Sequence, residues 1–150
     1  MRVTLDANIL VYAMHGEDPR HLRASEIVGR ALVNDCVQTL QSFAECFNAL
    51  VRKRYLEPEA ARSRVASVQA QVAVVAARAS DLDEAMRKAP RHKLQFWDAM
   101  LMATARRAGA RLLISEDMQS GQDFDGLVLV DPFDSANDRL IDLALPLPEA

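Results

Sequence analysis

Leu112-Leu113-Ile114-Ser115-Glu116-Asp117 is an unbroken apolar run that ends in a hydroxyl and two carboxylates. A strand buried on both faces shows no polar alternation, so Leu112–Ser115 reads as a central strand of a covered sheet. The segment before it, Leu94–Ala108, has helical spacing, with Gly109 placed as a left-handed cap. A helix, a buried strand and then an acid is the order in which open α/β sheets present a site, outside the carboxyl ends of their strands. The same alternation continues outward. Arg2–Leu5 is a short β-type run broken by Asp6-Ala7-Asn8, and Ile9–Met14 is helical. His21–Val33 is a helix, Cys36–Thr39 a strand, and Ser42–Arg54 a helix with Phe43, Phe47, Leu50 and Val51 on one face. Pro58 opens the next helix, which continues over Glu59–Gln71. Val72–Ala76 is expected as a buried strand, Leu82–Lys88 as a helix ending before Pro90, and Leu127–Val130 as a buried strand stopped by Pro132. The pattern predicts an α/β fold, a short parallel β-sheet flanked by α-helices. Residues 1–134 are expected to form the domain and 135–150 a loosely packed C-terminal extension.

The chain has 150 residues, half of them hydrophobic and 26% charged, which is the balance of one globular domain. A chain of this size buries roughly 68–70% of its unfolded surface and folds without disulfides or a structural metal. Cys36 and Cys46 form no CxxC and no Cys/His cluster, which excludes a disulfide scaffold and a zinc-finger site. No secretion leader and no membrane span is evident, so a cytoplasmic location is expected, with no membrane partner. A net charge of −3 argues mildly against a dedicated duplex-DNA binder. The charge is segregated: Arg52, Lys53 and Arg54 form one basic run and Arg87, Lys88, Arg91 and Lys93 another, while Glu116 to Asp142 holds eight acids and one base.

Three carboxylates stand alone inside core-forming segments. Asp6 is the only charged residue between Arg2 and Glu17, Glu45 the only one between Asp35 and Arg52, and Asp98 the only one between Lys93 and Arg106. Asp98 falls in the apolar stripe Leu94, Trp97, Leu101, Ala105. A buried carboxylate without a partner costs several kcal/mol or more, and no Lys or Arg lies within these segments to serve. Asp117 follows the buried strand directly. Acids converging without basic partners would make an oxygen-rich site suited to Mg²⁺ or Mn²⁺. Each acid also has a plainer reading: Asp6 and Asp117 as turn or cap residues, Asp98 and Glu45 as solvated helix positions, Glu116 as a solvated neighbour. Spacing alone leaves an acidic metal site and coincidence equally open.

Four short motifs carry a family resemblance. Asp6-Ala7-Asn8 resembles the opening motif of PIN-domain nucleases, particularly the bacterial VapC toxins of toxin–antitoxin pairs. Gln41-Ser42-Phe43-Ala44-Glu45 is similar to their second motif, Phe96-Trp97-Asp98-Ala99 to the third, and Leu113-Ile114-Ser115-Glu116-Asp117 to the fourth. Met118-Gln119-Ser120-Gly121-Gln122 and Val130-Asp131-Pro132-Phe133 match the usual C-terminal segment. The motifs run in order from residue 1 to about 134. The resemblance implies a PIN-like fold and a metal-dependent endoribonuclease in which water activated by Mg²⁺ (or Mn²⁺) hydrolyses RNA phosphodiester bonds. It implies Asp6, Asp98 and Asp117 as principal ligands, with Glu45 on a second ion or on a metal-bound water. Asn8 and Ser115 are expected to orient Asp6 and Asp117. His15, His21 and His92 are expected to be solvated rather than catalytic.

The two basic runs are candidates for RNA phosphates, with ordinary helix-end charges as the equal alternative. Tyr55, Phe96 and Trp97 could stack bases, although the last two read better as core. Leu56, Val65, Val68 and Val72 exceed what one core can use, which points to an interface. By resemblance the partners are a second copy in a homodimer and a cognate antitoxin lying across the acidic pocket. Two other classes compete: a non-catalytic PIN-like RNA-binding module, against which the retention of all four acids speaks, and a metal-dependent small-molecule phosphatase. The latter requires an acid two residues after Asp6, where this chain has Asn8, which cannot donate a proton.

Overall fold

The structure is a computed structural model and describes residues 1–149. Three parallel strands form its centre: β1 (Val3–Leu5), β4 (Leu112–Ile114) and β6 (Leu127–Val130), with β4 between the other two. Alternate residues serve opposite faces. Val3, Leu5, Leu112, Ile114 and Val130 enter one hydrophobic core, and Leu113, Leu127 and Leu129 enter another. That double burial is why these runs are continuously apolar. A parallel pair, β2 (Val37–Thr39) and β3 (Ala73–Val75), extends the sheet through a single bridge between Val3 and Cys36.

Helices α1 (Ala7–Met14), α2 (His21–Leu32) and α3 (Leu40–Arg52) cover the first face, and α4 (Pro58–Gln69) packs on α3. On the other face α6 (Phe96–Arg107) lies over Leu113, Leu127 and Leu129, with α5 (Ala79–His92) against it. The helix starts follow local chemistry. Asp6 accepts the Ala7 N–H at 2.7 Å, Thr39 accepts the Ser42 N–H at 3.1 Å, and Pro58 opens α4. Asp81, buried near the start of α5, accepts the Arg78 N–H at 2.8 Å and pairs with Arg107 of α6 at 2.8 Å. Gly109 has a φ of +90°, the left-handed conformation expected of it.

Four expectations need correction. Residues 73–75 do form a strand, but it is the sheet's outer strand and is exposed or half-exposed rather than buried. Helix α5 passes through Pro90, which sits in the last turn, where the missing N–H removes a single helical bond. The sheet is mostly parallel as expected, with Asp123–Phe124 (β5) turning back at Asp125-Gly126, both at positive φ, to pair antiparallel with β6. The segment expected to be loose is packed. After a 3-10 turn (Ser135–Asn137), α7 (Asp138–Ala144) places Ile141, Ala144 and Leu145 in the first core. Arg30, itself buried on α2, fastens this segment by donating to the Leu145 carbonyl at 2.6 Å and to Asp142 at 2.8 Å. The apolar residues assigned to an interface, Leu56, Val65, Val68 and Val72, pack against the core instead. Among the described residues, no helix is long and apolar enough to cross a membrane.

Candidate functional site

The in-register pairing of Leu5 with Ile114 brings the carboxyl ends of β1 and β4 to one level, so that Asp6 and Ser115 leave the sheet side by side. Asp6 is buried and fully committed. Its N–H donates to the Ile114 carbonyl at 2.9 Å, Oδ1 caps α1, and Oδ2 accepts the Ser115 hydroxyl at 2.7 Å. Ser115 Oγ also accepts the Asp117 N–H at 3.3 Å and the Asn8 amide at 3.4 Å. Of the two residues expected to orient the acids, Ser115 touches both Asp6 and Asp117, whereas Asn8 reaches them only through the Ser115 hydroxyl. The exposed Asp117 and the half-buried Glu45 line one groove with Asn8, between α1 and α3. Asp98 stands in the first turn of α6, and neither it nor Asp6 is part of the lining of that groove.

The four acids act on one another through their charges. Burial and then the charges of Asp6, Glu45 and Asp117 push Asp98 up to about 6. Burial likewise raises Glu45, with Asp6 adding to it and the Gln41 amide opposing. Burial raises Asp6 against the pull of Ser115 and Ala7, and Asp117 raises it further. Among the described residues, none of the four takes part in a salt bridge. No three His, Cys, Asp or Glu side chains among the described residues stand close enough to hold one ion as they are. The donor set itself fits a hard divalent cation: it is all oxygen, mutually repelling and without a neutralising cation. Asn8 Oδ1 is buried there without a hydrogen-bond partner, an acceptor that such a cation or its water would satisfy.

Several contributors carried no local signal. Gln41 donates one amide to Glu45 at 2.8 Å and to the Trp97 carbonyl at 2.9 Å, joining α3 to the start of α6 beside Asp98. Gln38 bridges β1 and α3 from below, donating to the Leu5 carbonyl at 2.5 Å and to Ser42 Oγ at 2.6 Å. Glu116 is not a solvated bystander. It accepts from Arg20 at 2.7 Å and from the Tyr12 hydroxyl at 2.5 Å, and the Arg20 guanidinium lies 4.1 Å from the centre of the Tyr12 ring. This clamp holds the loop between Ser115 and Asp117 to α1.

The basic runs separate. Arg52 and Lys53 line the groove of Glu45 and Asp117, and neither they nor Arg54 forms an ion pair among the described residues. Arg87 pairs with Asp83 at 3.1 Å and Lys88 with Glu84 at 2.6 Å, Lys88 lining a different hollow walled by α5, α6 and β5. Arg91 and Lys93 are exposed at the end of α5. Trp97 is 56% exposed rather than core, because the buried face of α6 runs through Leu101, Met102 and Ala105. His15 and His21 are engaged rather than free in solvent: His15 stacks on Tyr55, and His21 Nδ1 lies 2.9 Å from the Tyr12 carbonyl.

The family description "PIN domain" matches residues 3–120, a stretch that holds all four acids. No curated protein matches the sequence. Among solved structures, the VapC20 toxin of Mycobacterium tuberculosis, described as sarcin-ricin loop cleaving, is 20% identical with a TM-score of 0.63, covering 74% of this chain and 86% of that one. A toxin–antitoxin complex from Klebsiella pneumoniae is 18% identical with a TM-score of 0.62, covering 87% of this chain and 98% of that one. A protein of Pyrobaculum aerophilum is 22% identical with a TM-score of 0.64, covering 96% and 95%. At these identities the likeness is one of fold.

Proposed function

The chain belongs to the PIN-domain family, and from that premise we propose that it is a metal-dependent endoribonuclease, the toxin of a toxin–antitoxin pair. The observation that carries the reading is the placing of Asp6, Glu45 and Asp117 where their charges, after burial, raise the proton affinity of Asp98, none of the four being in an ion pair among the described residues. Asp6, Asp98 and Asp117 would hold Mg²⁺ or Mn²⁺, with Glu45 on a second ion or its water. When bound, such an ion lowers the pKa of water and neutralises the scissile phosphate.

The chain's own residues set the stage for this. Ser115 fixes the rotamer of Asp6 and tethers the backbone of Asp117 through the same oxygen. Gln41 ties Glu45 to the Trp97 carbonyl, one residue before Asp98, and the Arg20–Glu116–Tyr12 clamp keeps the Asp117 loop against α1. Attack on phosphorus with departure of the 3′ oxygen leaves a 5′ phosphate and a 3′ hydroxyl. A cyclic 2′,3′ phosphate among the products of an oligoribonucleotide would contradict the reading.

The partners follow from the same charges. An electronegative pocket without its ion favours an inserted Arg or Lys, which is the expected contribution of an antitoxin near Asp98 and Asp117. Dimerisation is proposed with it, as is a division into a domain over 1–134 and an extension after it, of which Ile141, Ala144 and Leu145 share the domain's core. Light scattering of the isolated chain, and titration of the neighbouring gene product into the cleavage assay, test both. A strict monomer whose cleavage ignores that product would contradict them. A non-catalytic RNA-binding module would need no unpaired acids, and a phosphatase acid at position 8 is replaced by an asparagine tied to Ser115.

A further inference from the structure

The groove that starts at the carboxylates does not end there. Helices α1 and α3 both lead away from it: Asn8, Val11 and Tyr12 on one side, Glu45, Asn48 and Arg52 on the other, with Lys53 beyond. Where the two helices stop, a second hollow opens, lined by Met14, His15, Glu17, Arg54, Tyr55 and Arg64. His15 and Tyr55 face each other there with ring centres 3.9 Å apart and planes 5° from parallel. The pair is built by backbone as well as by side chains. The His15 N–H closes α1 on the Val11 carbonyl at 2.9 Å, and Arg54, at a φ of 58°, turns the chain after α3 so that the Tyr55 N–H reaches the Leu50 carbonyl at 3.0 Å. A non-glycine residue in the left-handed region carries a conformational cost, borne here at the residue that swings Tyr55 over His15. Tyr55 is still 38% exposed, and Lys53 Nζ lies 6.0 Å from its ring centre.

Resting on the ribonuclease reading, we propose that the His15–Tyr55 stack is a nucleobase subsite for single-stranded RNA whose phosphates run along Arg52, Lys53 and Arg54 from the acidic pocket. Three observations converge on this class of ligand. The hollow lies beyond the groove of Glu45 and Asp117 along the same two helices, its lining resuming at Met14 and Arg54 where that of the groove ends at Tyr12 and Lys53. Its cations, Arg54 and Arg64 with Lys53 and Arg52 at the entrance, outnumber its one acid, Glu17, and Arg64 is steadied by its bond to the Met14 carbonyl at 3.0 Å. Two flat rings, stacked on each other and with Tyr55 still partly exposed, line the hollow, and stacking on aromatic side chains beside a basic track is how single strands are held without a duplex. The eight residues of α1 separate Asp6 from His15, nine steps or about 13 Å at the rise of an α-helix, so the stacked base belongs to a nucleotide beyond the scissile phosphate rather than beside it. Base contact at that distance selects where a strand is cut.

The test measures RNA binding in the Asp98→Asn background, where the strand should stay whole, using a fluorescein-labelled single-stranded oligoribonucleotide and a set in which each base in turn is replaced by an abasic residue. One abasic position should weaken binding about tenfold, as expected for loss of one stacked base. Tyr55→Ala should weaken binding of the intact strand by the same factor and abolish the penalty at that position, while Tyr55→Phe, which keeps the ring, should bind as the parent does. Arg52→Ala and Lys53→Ala should each lower the dependence of log affinity on log salt by about 0.7 without moving the abasic penalty. If the parent binds RNA but the abasic scan is flat, or Tyr55→Ala binds as tightly, the subsite is wrong and the ribonuclease reading stands. If the parent binds no RNA, both fall. Should Tyr55→Ala fail to fold, the abasic scan of the parent still decides.

Discussion

The Ser115 hydroxyl donates to Asp6 Oδ2 at 2.7 Å across 109 residues of sequence, joining the carboxyl ends of the two strands that carry the site. The same oxygen receives the Asp117 N–H and the Asn8 amide. A single buried hydroxyl therefore orients two of the acids and one amide.

Ser115→Ala should lower divalent-ion affinity roughly 10- to 100-fold, the usual effect of removing a residue that orients a ligand. The loss of stability should be small, on the order of 1 kcal/mol. Calorimetric titration with Mn²⁺ beside a thermal melt separates the two effects. Ser115→Thr, which keeps the hydroxyl, should restore affinity. An alanine variant that binds Mn²⁺ as the parent does would remove Ser115 from the site.

Stability of the ion-free protein should fall as pH rises from about 4 to about 7. Asp98 is held up to about 6 from an ordinary 3.8, so the folded chain binds its proton more tightly than the unfolded one. The resulting stabilisation is complete below 3.8 and is lost as pH climbs through about 6. Asp6 and Glu45 shift in the same direction. Asp98→Asn should flatten part of this slope and leave the fold intact or slightly stabilised at pH 7. Melting curves across that range check it, and a variant melting lower than the parent at pH 7 would give Asp98 a structural role.

The clamp on Glu116 makes a different demand. Arg20→Met removes the cation from a half-exposed pair, so stability should change by about 1 kcal/mol or less. Cleavage should fall by more than that figure implies, because the Asp117 loop loses its tie to α1. Arg20→Lys should recover part of the activity. Equal small losses in both variants would mean that the clamp is only surface chemistry.

Leu145→Ala should cost about 2–5 kcal/mol, the range for a fully buried leucine. Urea unfolding measures this, and a negligible loss would show that the C-terminal helix is the loose extension its sequence suggests.

The three acids inside apolar segments were legible in the sequence because a lone charge in a core-forming run is anomalous wherever it occurs. The central strands were legible because burial on both faces leaves them wholly apolar. What escaped notice was assembled over distance. Tyr12, Arg20 and Glu116 meet across 104 and 96 residues and form no local pattern. Asp138–Ala144 looked polar in sequence, since only Ile141 and Ala144 of that helix are buried and the cation that secures it, Arg30, lies on α2. The size of Trp97 points the wrong way: a large ring beside a helical stripe reads as part of it, while small residues such as Ala99 and Ala103 hold the buried positions of α6.

The decisive measurement is cleavage of a single-stranded oligoribonucleotide by chelator-treated protein as Mg²⁺ or Mn²⁺ is added back, run in parallel on the parent and on Asp98→Asn. The account predicts no cleavage before addition, saturable restoration in the parent, and none in the variant at any ion concentration. Cleavage that survives chelation, or an Asp98→Asn protein that cuts as the parent does, would contradict it.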